Sequence, residues 1–182
     1  MPFNHTSKNS DLTDKQFELV GKLLLEFSNL DYLIGILLNR LLITPEYLGL
    51  TYNDQLTVMK KIIAIENAIE LHKHRYDYRI IREQTLNDLT ELVQKVKGIK
   101  TLRNKFAHNL WSRWTDDKIF GTKLSGKLIN HKSPNRDSIT ITNLELKKHY
   151  EQAYELVEKA NNLLDIIPTF EENIELIKRT IK

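Results

Sequence analysis

The sequence predicts an all-α fold, an up-and-down bundle of four to five helices interrupted once by a small β-hairpin between the third and fourth. Three observations carry that expectation. Apolar residues recur at helical spacing over long stretches, as at 17, 20, 23/24, 27, 30, 34, 37/38 and 41. Six glycines and four prolines in 182 residues are too few for a many-turned β fold. Only between residues 111 and 141 does the helical period vanish.

Residues 1–10 are polar and read as a flexible tail, with a single domain over 11–182. Thr13 and Gln16 make a capping box and Leu12 and Phe17 the matching hydrophobic staple, which opens a first helix running to about residue 42. Gly21 and Gly35 are its expected points of close packing. Thr44-Pro45-Glu46 reads as a cap with proline at the first helical position, followed by a short turn. A second helix is expected over 54–74, with Leu56, Met59, Ile62/Ile63, Ile65, Ala68/Ile69 and Leu71 inward, and Arg75-Tyr76-Asp77-Tyr78 as the connection. A third covers 79–108, its stripe formed by Ile80, Leu86, Leu89, Leu92/Val93, Val96, Ile99, Leu102 and Phe106. Gly98 costs that helix about 1 kcal/mol relative to alanine.

The β insertion is expected at about 115–142. Ile119-Phe120, Ser125-Gly126 and Leu128-Ile129 look like short strands around a glycine turn, and 138–142 alternates polar with apolar. Thr142-x-x-Glu145 is a second capping box that opens a fourth helix over 143–166. Pro168 stops it, and a short helix over 169–181 closes the chain.

Hydrophobic content of 41% with 28% charged residues is ordinary for a globular domain. With no cysteine, disulfides, thiolate metal sites and cysteine nucleophiles are excluded. The first ten residues hold no apolar signal core, and the longest apolar run, 30–43, is broken by Asp31, Asn39 and Arg40. A soluble, cytoplasmic chain without membrane association is the expectation. The net charge of +3 hides an asymmetry. Residues 95–136 carry eleven Lys/Arg against Asp116 and Asp117, a local +9 that leaves −6 for the rest. Either a polyanion binds that segment, or it is a solvated basic face beside acidic helices.

The chemistry concentrates in Leu102-Arg103-Asn104-Lys105-Phe106-Ala107-His108, at the end of the third helix. Asn104 and His108 are four residues apart and share a helix face, so the amide could hydrogen-bond the imidazole. Arg103 is rotated about 100° from Asn104, and about 7.5 Å of rise separates Arg103 from His108. One straight helix therefore does not aim both at one point; a bend near His108, or two copies facing across a dimer axis, would. Histidine can move a proton near neutral pH, and arginine can grip two phosphate oxygens of a transition state. Cleavage of RNA by 2′-hydroxyl attack asks for those two groups and for no metal or cofactor. The bare Arg-to-His spacing is unspecific. Its context is what distinguishes it: Arg-Asn together, alanine before histidine, an apolar stripe leading in and a break from helix just after. The alternative reading is a surface histidine at a helix end.

The motif resembles the Arg-polar-x-x-x-His signature of HEPN domains, compact helical bundles that often dimerise. The resemblance covers the motif and the helical order over most of residues 11–166. It implies a metal-independent endoribonuclease of toxin or anti-phage stress-effector kind, with Arg103 and His108 of two subunits in one cleft and Asn104 assisting. It equally admits a non-catalytic dimeric module that binds nucleic acid or a protein partner. RNA, a second copy of the chain, and an antitoxin or regulatory protein are the partners it implies.

Further candidates accompany the motif. Trp111 and Trp114 could stack unpaired bases or anchor the helix end. Lys100, Lys105, Arg113, Lys118, Lys123 and Lys127, with Lys132 and Arg136, could track a phosphate backbone or simply be solvated. Asp31, flanked by apolar residues, could orient Arg103 or stand exposed. His72 and His74 bracket Lys73, but without a third ligand nearby they do not make a metal site.

Overall fold

The computed structural model describes residues 11–122 and 138–180. Among them are six α-helices, α1 (Asp14–Leu41), α2 (Glu46–Asn53), α3 (Val58–His74), α4 (Glu83–His108), α5 (Asn143–Ile166) and α6 (Phe170–Thr180). Three strands, β1 (Leu110–Thr115), β2 (Lys118–Thr122) and β3 (Ser138–Thr142), form one antiparallel sheet in the order β1-β2-β3. The mostly helical architecture is the expected one. The insertion differs in that it is a three-stranded sheet rather than a hairpin, and it begins at Leu110. The strands expected at Ser125-Gly126 and Leu128-Ile129 lie outside the described residues. No helix among the described residues is long and apolar enough to cross a membrane.

The chain divides into two compact units whose boundaries fall within α1, α4 and α5. The first holds the described residues of Met1–Phe27 and Ile99–Tyr154. Its core joins Leu12, Val20, Leu23 and Phe27 to Phe106, to Ile119 and Ile141 of the sheet, and to Leu146 and Ala153. Thr13 and Gln16 form the capping box, with Thr13 N–H donating to Gln16 Oε1 at 2.9 Å and Gln16 N–H to Thr13 Oγ1 at 3.3 Å. Gln16 is fully buried because its amide also holds a turn: Nε2 donates to the carbonyl oxygens of Thr115 (3.0 Å), Asp116 (3.3 Å) and Lys118 (3.4 Å). Asn143 grips the same turn, its N–H on Asp117 O and its Nδ2 on Asp116 O. Gln16 and Asn143 thus tie the β1–β2 turn to the starts of α1 and α5. The expected box at the start of α5 also forms: Thr142 N–H and hydroxyl both donate to Glu145, which holds that carboxyl below its ordinary range. Gly21 is exposed with open space around its Cα, so it is not the packing point expected of it.

The second unit holds the described residues of Ser28–Gly98 and Glu155–Lys182. Its buried apolar residues include Ile34, Leu37 and Leu38 of α1, Ile62, Ile65 and Ile69 of α3, and Leu86, Leu89 and Leu92 of α4. The short turn expected after Pro45 is the two-turn helix α2. It is tied down by buried amides: Asn53 Nδ2 donates to Asn39 Oδ1 (2.5 Å) and Gly35 O (3.0 Å), and Asn39 Nδ2 to Glu46 O (3.3 Å). Thr57 caps α3, which starts later than expected because its side chain accepts from Lys60 N–H. The inward stripe of α3 runs Ile62, Ile65, Ala68/Ile69 and His72; Ile63 and Leu71, expected inside, are about half exposed. Asp77 and Tyr78 take left-handed φ angles of 49° and 57°, which ends the chain's helical run and delays α4 to Glu83. Arg40 Nη1 donates to the carbonyls of Leu164 and Ile167, satisfying the C-terminal end of α5.

Candidate functional site

α4 stays helical through His108, and the helical bond pattern continues to Asn109 N–H on Lys105 O at 2.9 Å. Two residues later the chain is strand. Phe106 makes that junction firm. It is buried, and Trp111 at the start of β1 folds back to stack on it, ring centroids 4.5 Å apart and planes 13° from parallel, while Trp111 Nε1 donates to Phe106 O at 3.4 Å. The last turns of α4 are thus held from inside.

On that helix Phe106, Leu102 and Ile99 face the core. Asn104 and His108 lie about 160° and 200° around from Phe106, the side furthest from the core, and both are exposed. Arg103, Ala107 and Lys100 form the adjoining row, Arg103 partly buried and the other two exposed. Arg103 Nη1 reaches Asn104 Oδ1 at 3.5 Å. The expected Asn104–imidazole bond is not made, because the asparagine oxygen turns to the guanidinium instead. Among the described residues His108 has no hydrogen-bond partner.

The charges of this helix separate along its length. Lys95 is paired with Glu91 at 2.7 Å and Lys97 with Glu66 at 2.5 Å. Further on, Lys100, Arg103 and Lys105 have no ion pair among the described residues. The C-terminal turns of α4 therefore present uncompensated positive charge around Asn104 and His108. Because α4 is one continuous helix through His108, its spacing puts Arg103 and His108 about 140° apart around it and about 7.5 Å apart along it. A single α4 does not bring them onto one phosphate.

The other candidates separate clearly. Trp111 is half-buried with a ring face on Phe106, an anchor rather than a free stacking surface. Trp114 is 66% exposed, its ring 5.9 Å from Phe120. Arg113 pairs with Asp116 at 3.4 Å, and its backbone N–H donates to Asp11. Lys118 is exposed without an ion pair among the described residues. Lys123 and Lys127, like Lys132 and Arg136, lie outside the described residues. Asp31 is partly buried and paired within its own unit. Its carboxylate accepts from the almost buried Lys61 at 2.7 Å, because an ammonium there needs a counter-charge. His72 is fully buried with Nε2 on Leu41 O at 2.9 Å, whereas His74 is exposed beside Glu70, so the two do not converge. Among the described residues no three His, Asp or Glu side chains gather at one point.

Phe120 is a half-buried aromatic on the side of the sheet away from Ile119, and the sequence reading did not single it out. The alternation Lys118-Ile119-Phe120-Gly121 carries its signal: with Ile119 in the core, Phe120 must face out. No family model, no curated protein and no solved structure matches the chain.

Proposed function

We propose that the chain is a metal-independent endoribonuclease of HEPN type, acting as a homodimer, in the manner of a toxin or anti-phage stress effector. One observation carries the reading: Asn104 and His108 stand exposed on the outer side of the α4 end with Arg103 bonded to Asn104 on the adjoining row, flanked by lysines without acidic partners among the described residues. Nothing in the packing of the core asks for those three residue types there.

The helical spacing of the motif sets the mechanism. Two α4 ends related by a two-fold axis would bring the Arg103 of one copy toward the His108 of the other. One His108 takes the proton of the 2′-hydroxyl as it attacks phosphorus. The imidazolium so formed gives its proton to the departing 5′ oxygen, and the products are a 2′,3′-cyclic phosphate and a free 5′-hydroxyl. Arg103 stabilises the negative charge that grows on the phosphorane oxygens, and Asn104 positions the guanidinium or the phosphate.

The test is incubation of purified protein with a mixed RNA pool in EDTA. Cleavage that persists in EDTA, leaves cyclic-phosphate ends and falls about 10²–10⁴-fold in His108→Ala and Arg103→Ala supports the reading. Intact RNA at high protein concentration refutes it. A second reading, a non-catalytic dimeric module for nucleic acid or for an antitoxin or regulatory protein, is favoured by His108 lacking a group to fix its tautomer. Equal expression of wild type and His108→Ala in cells would support that reading, whereas a nuclease would depress growth until His108 is removed.

A further inference from the structure

The sheet has two different faces. Inward, Ile119 and Ile141 are buried and Trp111 lies over Gly121, whose register partners are Trp111 and Ile139. Outward, Ser112, Phe120 and Thr140 stand in register across the three strands, with Leu110, Thr122 and Ser138 as the next rung. The register of β1 shifts between Arg113 and Thr115, so Trp114 is the extra residue of a bulge. Bulges re-aim a side chain, and here the indole is turned onto the outward face against Phe120. That leaves a large exposed aromatic where a hydroxyl or charge would be the ordinary choice.

From these observations we infer that the outward face of the sheet, centred on Trp114 and Phe120, is a stacking platform for unpaired bases of single-stranded RNA; the inference rests on RNA being the substrate. Three features select that occupant. The aromatic pair is interleaved with the hydroxyls of Ser112, Thr122 and Thr140, which suit sugar and base edges. The described strand positions of this face carry Lys118 and no carboxylate; the acids near it are Asp116 and Asp117 of the turn, Glu145 on the Thr142 hydroxyl at the same end, and Asp11, which is taken up by Arg113 N–H at the β1 edge. The chain segment that joins β2 to β3 contains Lys123, Lys127, Lys132 and Arg136 against Asp137 alone, a polyanion-seeking composition. The rung Leu110–Thr122–Ser138 is also the one nearest His108 along the chain, and β1 carries Trp114 about 13 Å beyond Leu110. A strand stacked on Trp114 and laid along β1 would be delivered to the end of α4.

Tryptophan fluorescence tests this directly, since the chain has two tryptophans and Trp111→Phe leaves Trp114 as sole reporter. The probe is a short 2′-O-methyl oligoribonucleotide, which lacks the attacking hydroxyl and is not cut. The single strand should quench Trp114, and the same strand annealed to its complement should not. Trp114→Ala and Phe120→Ala should each weaken binding about tenfold, whereas Trp114→Phe should retain it. On cleavable RNA, Trp114→Ala should raise KM and leave kcat unchanged. Absence of quenching, equal quenching by duplex, or emission that changes with protein concentration alone overturns the platform, the last by showing a second copy on that face. Cleavage by wild type with a KM indifferent to Trp114→Ala would overturn the platform and leave the nuclease intact. Quenching without any cleavage would keep the platform and overturn the nuclease.

Discussion

Trp111 lies stacked on Phe106, 4.5 Å between ring centroids, across the five residues where α4 becomes β1. Phe106 sits inside the Arg103–His108 motif, so the ring pair fixes both the helix that presents the motif and the strand that leaves it. The outer side of that indole is closed by backbone: a Cβ built on Gly121 would meet the Trp111 ring at 2.7 Å. Gly121 is thus required by a close approach and not by its own backbone angles.

Gly121→Ala should therefore destabilise the protein by about 1–3 kcal/mol, the usual range for overpacking. Trp111→Ala, which empties a half-buried site, should cost about 2–3 kcal/mol, below the range for a fully buried tryptophan. Combining Gly121→Ala with Trp111→Leu should recover part of the first loss, because the clash is with the ring. Thermal melting of these proteins and of Trp111→Leu alone measures this; additive losses of the two single variants in the double would show that the Trp111–Gly121 contact is not the cause.

The trans arrangement of the motif predicts complementation. His108→Ala and Arg103→Ala are each inactive as homodimers, yet their mixed dimer keeps one copy's Arg103 beside the other's His108. After co-refolding in equal amounts, half the dimers should hold one intact pair of two, and activity should return to about a quarter of wild type. Both variants should melt within about 0.5 kcal/mol of wild type, since neither residue has a buried partner to lose. Activity that stays at the level of the separate variants would mean that the pair acts within one copy.

The helices are legible in the sequence because their signals are local. The Thr13–Gln16 and Thr142–Glu145 boxes are both formed, and α5 has the expected bounds. What is hidden depends on residues distant in the chain. The α2 helix is held by Asn39 and Asn53, whose amides look like ordinary solvated side chains until they meet each other. β1 shows no alternation because it is an edge strand with one half-buried residue, so Leu110 to Thr115 reads as loop. The apolar flanks of Asp31 do not announce Lys61, thirty residues on, whose ammonium donates to its carboxylate. At the site itself, the exposure of Asn104 and His108 follows from the same stripe that buries Phe106, and is readable. The failure of Asn104 to hold the imidazole is not, because Arg103 competes for the same oxygen.

Gly98 offers a gain of stability. It lies in the interior of α4, exposed, with nothing within 4 Å of where a Cβ would go. Its only effect there is the entropy it adds to the unfolded chain. Gly98→Ala should raise stability by about 0.5–1 kcal/mol, a rise of roughly 1–4 °C in Tm at this chain length. An unchanged or lowered melting temperature would show that α4 needs the freedom at that point.

His72 predicts how stability depends on pH. The ring is fully buried, Nε2 on Leu41 O, and Nδ1 has no partner among the described residues. Burial lowers its pKa below the ordinary 6.5, and the bond to Leu41 opposes that in part. The unfolded chain, with His72 at its ordinary value, takes up a proton first as pH falls. The stability this residue contributes is therefore complete above pH 6.5 and is lost as pH falls through the depressed folded value, at no more than about 1.4 kcal/mol per pH unit. Glu91 does not confuse the measurement. Hydrogen bonds from Lys159 and Lys95 hold its carboxyl at about 2, so its contribution is present above 4.5 and fades only toward pH 2. Urea unfolding of wild type and His72→Gln from pH 7.5 to 4.5 isolates the histidine: the stability difference should narrow as pH falls below 6.5. A difference constant across that range would mean that His72 takes a proton in the folded chain as readily as in the unfolded one.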